Sequence, residues 1–301
     1  MALATVQLWG SYITYWTVLG GFMALAWWGA VPGDPSWAWF LTLAFANFVV
    51  LASLEQLVPR QRRFDLRKDD QKWNDAIHGI FVSIASLIDH RLAELVCLGL
   101  VIASGGMLDG LTSASLWPAG LPFAVQVALG VILWAVSADV VLHRAYHRID
   151  ALWRLHELHH DTSGMHVLVS ARQHVGEGLL NALFGILPLV MLGAPESVIW
   201  WTALWTVLVG NQIHSNVDQR FPAWLGWVHY VLPTPQFHYV HHSRDGRQQL
   251  SNFSGFVPWL DIVTGSHRHP DRNPVAQIGL EHSSMPATIV GQLAHPFRRT
   301  G

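Results

Sequence analysis

The sequence predicts an all-α, multi-span helical membrane protein whose histidine-rich cytoplasmic cap holds a dimetal site. Three observations lead there. Apolar residues make up 51% of the 301 residues and charged ones only 13%, where about a quarter charged is usual for a soluble domain. The apolar residues come in runs close to the roughly 20 residues that cross a bilayer as helix. Finally, the eighteen histidines equal lysine and arginine combined, a bias toward a chelating side chain.

The elements follow in order. Residues 8–31 form a first apolar run with no basic leader and no small-residue cleavage site, so it reads as a retained helix. The turn PGDPS leads to a second span at about 37–58, which carries Glu55 and Gln56 near its end. The segment PRQRRFDLRKDDQKWND is the most charged in the chain. Its Arg60, Arg62, Arg63, Arg67 and Lys68 place it on the cytoplasmic side. Residues 76–104 are apolar but interrupted by Asp89, His90 and Arg91, which would be costly at a bilayer centre. One straight span, two half-helices and a bent or re-entrant segment all remain open there. A Gly/Ser-rich connection (104–120) leads to a cleaner span at about 121–142, which delivers His143 to the cytoplasmic face. Residues 178–193 and 196–212, split by GAPES, read as a helical hairpin with both ends on that face.

The expected total is about four spans plus a helical hairpin or re-entrant segment, in a single membrane domain covering 1–301. No linker divides the chain. The lone Cys97 excludes an internal disulfide, and a net charge of −2 gives no reason to expect a nucleic acid partner.

The chemistry lies in three boxes: HxxxH at His143 and His147, HxxHH at His156, His159 and His160, and a second HxxHH at His238, His241 and His242. On a helix, residues three and four apart share a face, so each box aims two or three imidazoles at one point. Neutral imidazole is the commonest protein ligand for transition metals. His174 and His214, just before and after the hairpin, return to the same face. That makes ten candidate ligands, about what two ions with mainly nitrogen ligands use. The spacing argues against a closed structural zinc. It suits a pair of iron ions working with dioxygen, though manganese and zinc accept the same ligand type. Asp139, Asp161, Glu177 and Asp261 stand close enough in sequence to accept hydrogen bonds from outer ring nitrogens, which fixes tautomer and orientation. His78, His90, His229, His267, His269, His282 and His295 read as background, and His166 is evenly balanced.

HRAYH, LWRLHELHHD, SARQH, IHSNV, TPQFHYVHHSRD and NFSGFVPWLDIVTGS follow in order a known pattern. They resemble the fatty acid hydroxylase / sterol desaturase superfamily, membrane-bound enzymes with a non-haem di-iron centre. The resemblance covers roughly residues 130–267. Position by position it implies that the same ten histidines hold two irons. This chain has Val175 and Gly176 where the family often has proline and a hydrophobic residue. It has NFSG and IVTGS at two further positions where the family pattern differs.

The resemblance implies O2-dependent hydroxylation of a C–H bond in a lipid substrate, fatty acyl, sterol or related, that enters from the bilayer. Desaturation is the alternative outcome. No stretch resembles a haem, flavin or dinucleotide domain, so electrons are expected from a separate protein of ferredoxin or cytochrome b5 type. Localisation leans to a bacterial inner membrane, with the endoplasmic reticulum second. A metal transporter would spread its histidines along the spans instead of beyond their ends. A metal-dependent lipid hydrolase needs an open zinc and one carboxylate base, far fewer than ten histidines.

Overall fold

In the computed structural model, residues 2–30, 36–65, 67, 69–103, 116–219, 221 and 223–298 are described. Six long helices carry the fold: α1 (Ala2–Ala30), α2 (Trp37–Leu57), α3 (Lys72–Ala103), α4 (Phe123–Tyr146), α6 (Val175–Met191) and α7 (Glu196–His214). Between them, α5 (Asp150–His160) and later α8 (Pro235–His241) carry the two HxxHH boxes. Beyond α7 the chain forms a cap of short helical turns and loops. No strand occurs among the described residues. Two helices, Trp37–Leu57 and Phe123–Tyr146, are long and apolar enough to cross a membrane.

The central helix is α7. Trp200, Leu204, Leu208 and Ile213 are buried on it, because neighbours cover it on several sides. Along one side α2 packs, with Phe40 edge-on to Trp200 at 5.9 Å. Across the other side, α4 packs on both α6 and α7. Two glycines permit that approach: a Cβ at Gly185 would run into the Trp134 ring, and one at Gly130 into the Thr202 hydroxyl. Small residues at such crossings let helix backbones come close. On the outer faces, Phe45, Ile80, Ile84, Leu95 and Ile102 stay exposed.

Buried polar pairs tie the helices and the cap to one another. Asn211 donates to the Asn47 carbonyl oxygen at 3.1 Å and Ser170 to Asn211 at 2.8 Å, so each amide meets a partner away from water. Glu55 was expected only as a residue near a span end. Its carboxylate accepts the backbone N–H groups of Val167 and Asn216, each at 2.7 Å, and pins α2 to the cap.

Two expectations change. Residues 76–103 lie within one continuous helix, Lys72–Ala103 of 32 residues, so of the forms left open the two half-helices are not observed. Arg91 pairs with Glu94 at 2.8 Å on an exposed face, which removes one reason for a break. The side chains of Asp89 and His90, and residues 104–115 of the Gly/Ser-rich connection, lie outside the described residues. The expected plain helix at 121–142 instead runs to Tyr146 and widens into π-type turns between Ala135 and His143.

Candidate metal centre

Each box reaches the centre on a helix that ends or begins there. The π-type stretch of α4 delivers His143, and one further turn delivers His147. Such wide turns recur at functional sites. On α5 the acidic Asp150 sits in the first turn, which agrees with the helix dipole, and His159 and His160 sit in the last. Thr234 caps α8, its hydroxyl accepting the Phe237 N–H at 3.2 Å, and Pro235 starts the helix. His214 closes α7.

Nine of the ten expected histidines come together, in two groups. Group one contains His143, His147, His156, His160 and His241; group two contains His159, His214, His238 and His242. Each HxxHH box splits the same way. The i, i+4 pair goes to one group and the intervening i+3 ring to the other, so α5 and α8 exchange one ligand each. His160 and His242 stack at 4.6 Å where the groups meet.

The arrangement fits metal ions on its own chemistry. His143 Nδ1–H donates to the Phe253 carbonyl at 2.9 Å, and His156 Nδ1–H to the Glu177 carboxylate at 2.7 Å. Both Nε2 atoms are therefore bare, and they face each other at 3.1 Å. Two lone pairs at that distance repel unless a cation binds both. Nε2 atoms lie 3.1 Å apart in His156–His160, 3.2 Å in His159–His214, 2.9 Å in His214–His238 and 3.1 Å in His238–His242. Rings bonded to a shared ion at about 2.0–2.1 Å need separations of this order. Burial first, then repulsion among the rings, holds His147, His156, His160, His238 and His242 well below the usual imidazole range. Neutral imidazole is the ligand form.

His174 stands apart. Its Nδ1 accepts the Gly176 N–H at 3.0 Å and caps α6, while its Nε2–H donates to the Leu293 carbonyl at 3.1 Å. With both nitrogens committed to backbone, it has none to offer an ion. Of the four expected carboxylates, only Glu177 meets a ligand ring directly. Asp261 acts at one remove, accepting the Phe253 and Ser254 N–H groups at 3.1 and 2.7 Å. Asp139 accepts the Phe256 N–H at 3.3 Å. Asp161 pairs with Arg172 at 3.5 Å; neither contacts a ligand histidine, because a backbone turn and an arginine claim them.

A third group, Asp69, Asp75 and His166, is a strut between the start of α3 and the cap. His166 bonds Asp69 at 2.6 Å, and Arg172 pairs with Asp75. The evenly balanced His166 thus belongs to a hydrogen-bonded polar network with Asp69, Asp75 and Arg172. Among the background histidines, His78 meets Gln292, His229 meets Thr234 and His295 meets Glu157, while His282 is exposed. Sequence reasoning missed Arg144, which bonds Thr264 and Ser266 and lies 3.6 Å from Asp261. It also missed Tyr146, stacked on His156 at 5.0 Å.

A cavity of about 330 Å³ opens onto the centre. His143, His156, His159, His214 and His238 form its inner end, and Trp37, Phe40, Val82, Trp134, Ile186 and Val207 are among its apolar walls. Asn181, Thr206 and Asn211 add polar groups.

Comparison with known proteins agrees. Residues 127–266 match the fatty acid hydroxylase family model. The chain is 28% identical over 272 residues to the ornithine lipid hydroxylase OlsE of Rhizobium tropici, covering 90% of this chain and 80% of that protein. It is 29% identical to the alkylglycerol monooxygenase of Danio rerio and 27% to that of Homo sapiens, over 46% of this chain and 30% of each of those proteins. No solved structure matches. The ordered histidine boxes, their convergence and the family match over residues 127–266 identify a fatty acid hydroxylase domain in this chain.

Proposed function

We propose that this protein is a membrane-spanning di-iron oxygenase that hydroxylates a C–H bond of a lipid. The observation that carries the reading is the cavity, because it joins a largely apolar groove between helices to the histidine centre. Its volume falls at the lower end of the about 300–1,000 Å³ usual for ligand pockets. The relatives named as hydroxylase and monooxygenase support hydroxylation over desaturation. Bound by the nine histidines, a pair of irons supplies dioxygen activation and the electron steps that break an unactivated C–H bond. The balance is R–H + O2 + 2 electrons + 2 protons → R–OH + water, and a separate protein delivers the electrons.

The chain's own residues do the rest. Glu177 and the Phe253 carbonyl fix the tautomers of His156 and His143, so their Nε2 atoms face inward. The apolar walls exclude water and align an alkyl chain, and Asn181, Thr206 and Asn211 orient any polar substituent near the centre. The long helices cross the bilayer, with the cap on the cytoplasmic side beside the arginine-rich segment.

The test is elemental analysis of detergent-solubilised protein expressed with iron, joined to lipid mass spectrometry of expressing cells. Two irons per chain and a lipid gaining one oxygen atom are expected. A lipid losing two hydrogens would move the reading to desaturation, and one tight zinc with no iron would overturn it. Ala182→Phe, which fills the cavity, should suppress turnover while metal content holds.

A further inference from the structure

The two histidine groups are supported very differently on their outer sides. Residues 249–253 run as a strap past group one, and every second residue meets a ligand ring. The Gln249 side-chain amide faces His160 Nδ1 at 3.4 Å, the Ser251 carbonyl accepts from His241 Nδ1–H at 2.9 Å, and the Phe253 carbonyl from His143 Nδ1–H at 2.9 Å. With Glu177 on His156, three of the five rings in group one have an outer acceptor. In group two, His214 donates to the Gly210 carbonyl at 2.7 Å. His159 lies near the Arg172 carbonyl but outside hydrogen-bond geometry. The buried Nδ1 atoms of His238 and His242 have no acceptor among the described residues.

The strap is itself held in a strained form. Asn252 has φ 52°, in the left-handed region, where a non-glycine residue is costly without support. Its side chain donates to the Phe237 and Arg268 carbonyls, each at 2.9 Å, and accepts the Arg268 N–H at 2.7 Å. Asp261 accepts the next two N–H groups, of Phe253 and Ser254. The turn at Asn252 lets the carbonyls on either side of it, Ser251 and Phe253, both reach ligand rings.

Building on the two-ion reading, we propose that the strap makes the two sites unequal: group one holds its ion tightly, and group two gives its ion up first. Asn252 and Asp261 are positioning residues for group one. An outer acceptor fixes ring orientation and raises ligand basicity, and losing one costs about 10–100-fold in metal affinity. Group two has one well-made acceptor where group one has three, plus the facing amide of Gln249.

The experiment is anaerobic equilibrium dialysis of the full chain, loaded with ferrous iron in detergent, against a graded ferrous chelator, with bound iron measured at each step. The wild type should lose its two irons in separate steps, at least tenfold apart in chelator strength. Asp261→Asn, which places an amide group against one of the two N–H donors, should move the second, tight step about 10–100-fold toward weaker binding and leave the first in place. Asn252→Gly keeps the left-handed turn and should shift the tight step less than Asn252→Ala, and this pair decides the matter if Asp261→Asn fails to fold. A single two-iron step in the wild type overturns the inequality, as does an Asp261→Asn or Asn252→Ala shift confined to the first step. Uptake of fewer than two irons overturns the two-ion reading and this inference with it.

Discussion

The two HxxHH boxes carry the same spacing on unlike hosts. The helix α5 has eleven residues, with Asp150 and Ala151 exposed and only its inner face buried. Every one of the seven residues of α8 is buried. The amphipathic host resembles a surface helix, whereas α8 is a turn of core capped by Thr234. Yet both present the i, i+4 pair to one ion site and the i+3 ring to the other. Helical spacing thus decides which ring goes to which group, whatever the host. The hosts differ in burial and capping, and there the boxes part company.

Breaking either box should have the largest effect. His159→Ala and His241→Ala remove one ring from group two and group one respectively, and each should abolish turnover and lower iron content while the protein still inserts. A variant with full activity and full metal loading would strike that ring from the ligand set. Next comes Glu177→Gln, which keeps a hydrogen bond to His156 but not the charge. A loss of about 10–100-fold in turnover or iron affinity is expected, and unchanged values would make Glu177 a packing residue.

Smaller effects sharpen the contrast between hosts. Thr234→Ala removes the cap of α8 and should cost about 1 kcal/mol, read as a lower Tm in detergent. Iron loss should accompany it, because the capped helix holds three ligands. His174→Ala should cost a similar cap energy on α6 with iron content intact, and iron loss there would return His174 to the ligand set. At the bottom of the scale, exposed His282→Ala should leave both activity and Tm unchanged.

The convergence of the eight box histidines was legible because helical periodicity reports side-chain direction directly. The HxxHH boxes needed no tertiary information to aim their rings. His174 joins neither group, because its two ring nitrogens meet the Leu293 carbonyl and the Gly176 N–H. SARQH ends in a loop, and a ring at the start of HVGEGLL can turn back to cap its own helix. Glu55 could be seen only as a charge near a span end, since its partners Val167 and Asn216 lie 112 and 161 residues away. The strap was invisible for another reason: Ser251 and Phe253 act through carbonyls, which every residue has. The interruption at Asp89–Arg91 raised a break that the helix does not make, because Arg91 finds Glu94 one turn along. Long apolar runs gave the helices themselves, and the break at GAPES falls where Gly193 takes φ 74°, but the expected hairpin does not form: α6 packs mainly on α3, and α7 on α4 and α2.

The contact between His143 and the Phe253 carbonyl spans 110 residues, and it bears on when the protein can first hold iron. During synthesis, the rings of α4 and α5 leave the ribosome long before α8 and the residues that brace it. Until then the early histidines are imidazole ligands without their complement, open to whichever transition metal ion is abundant. On the proposed two-iron reading, faithful loading would therefore follow the synthesis of α8 and the strap. A cell starved of iron at that moment would be expected to fill the finished cage with another metal.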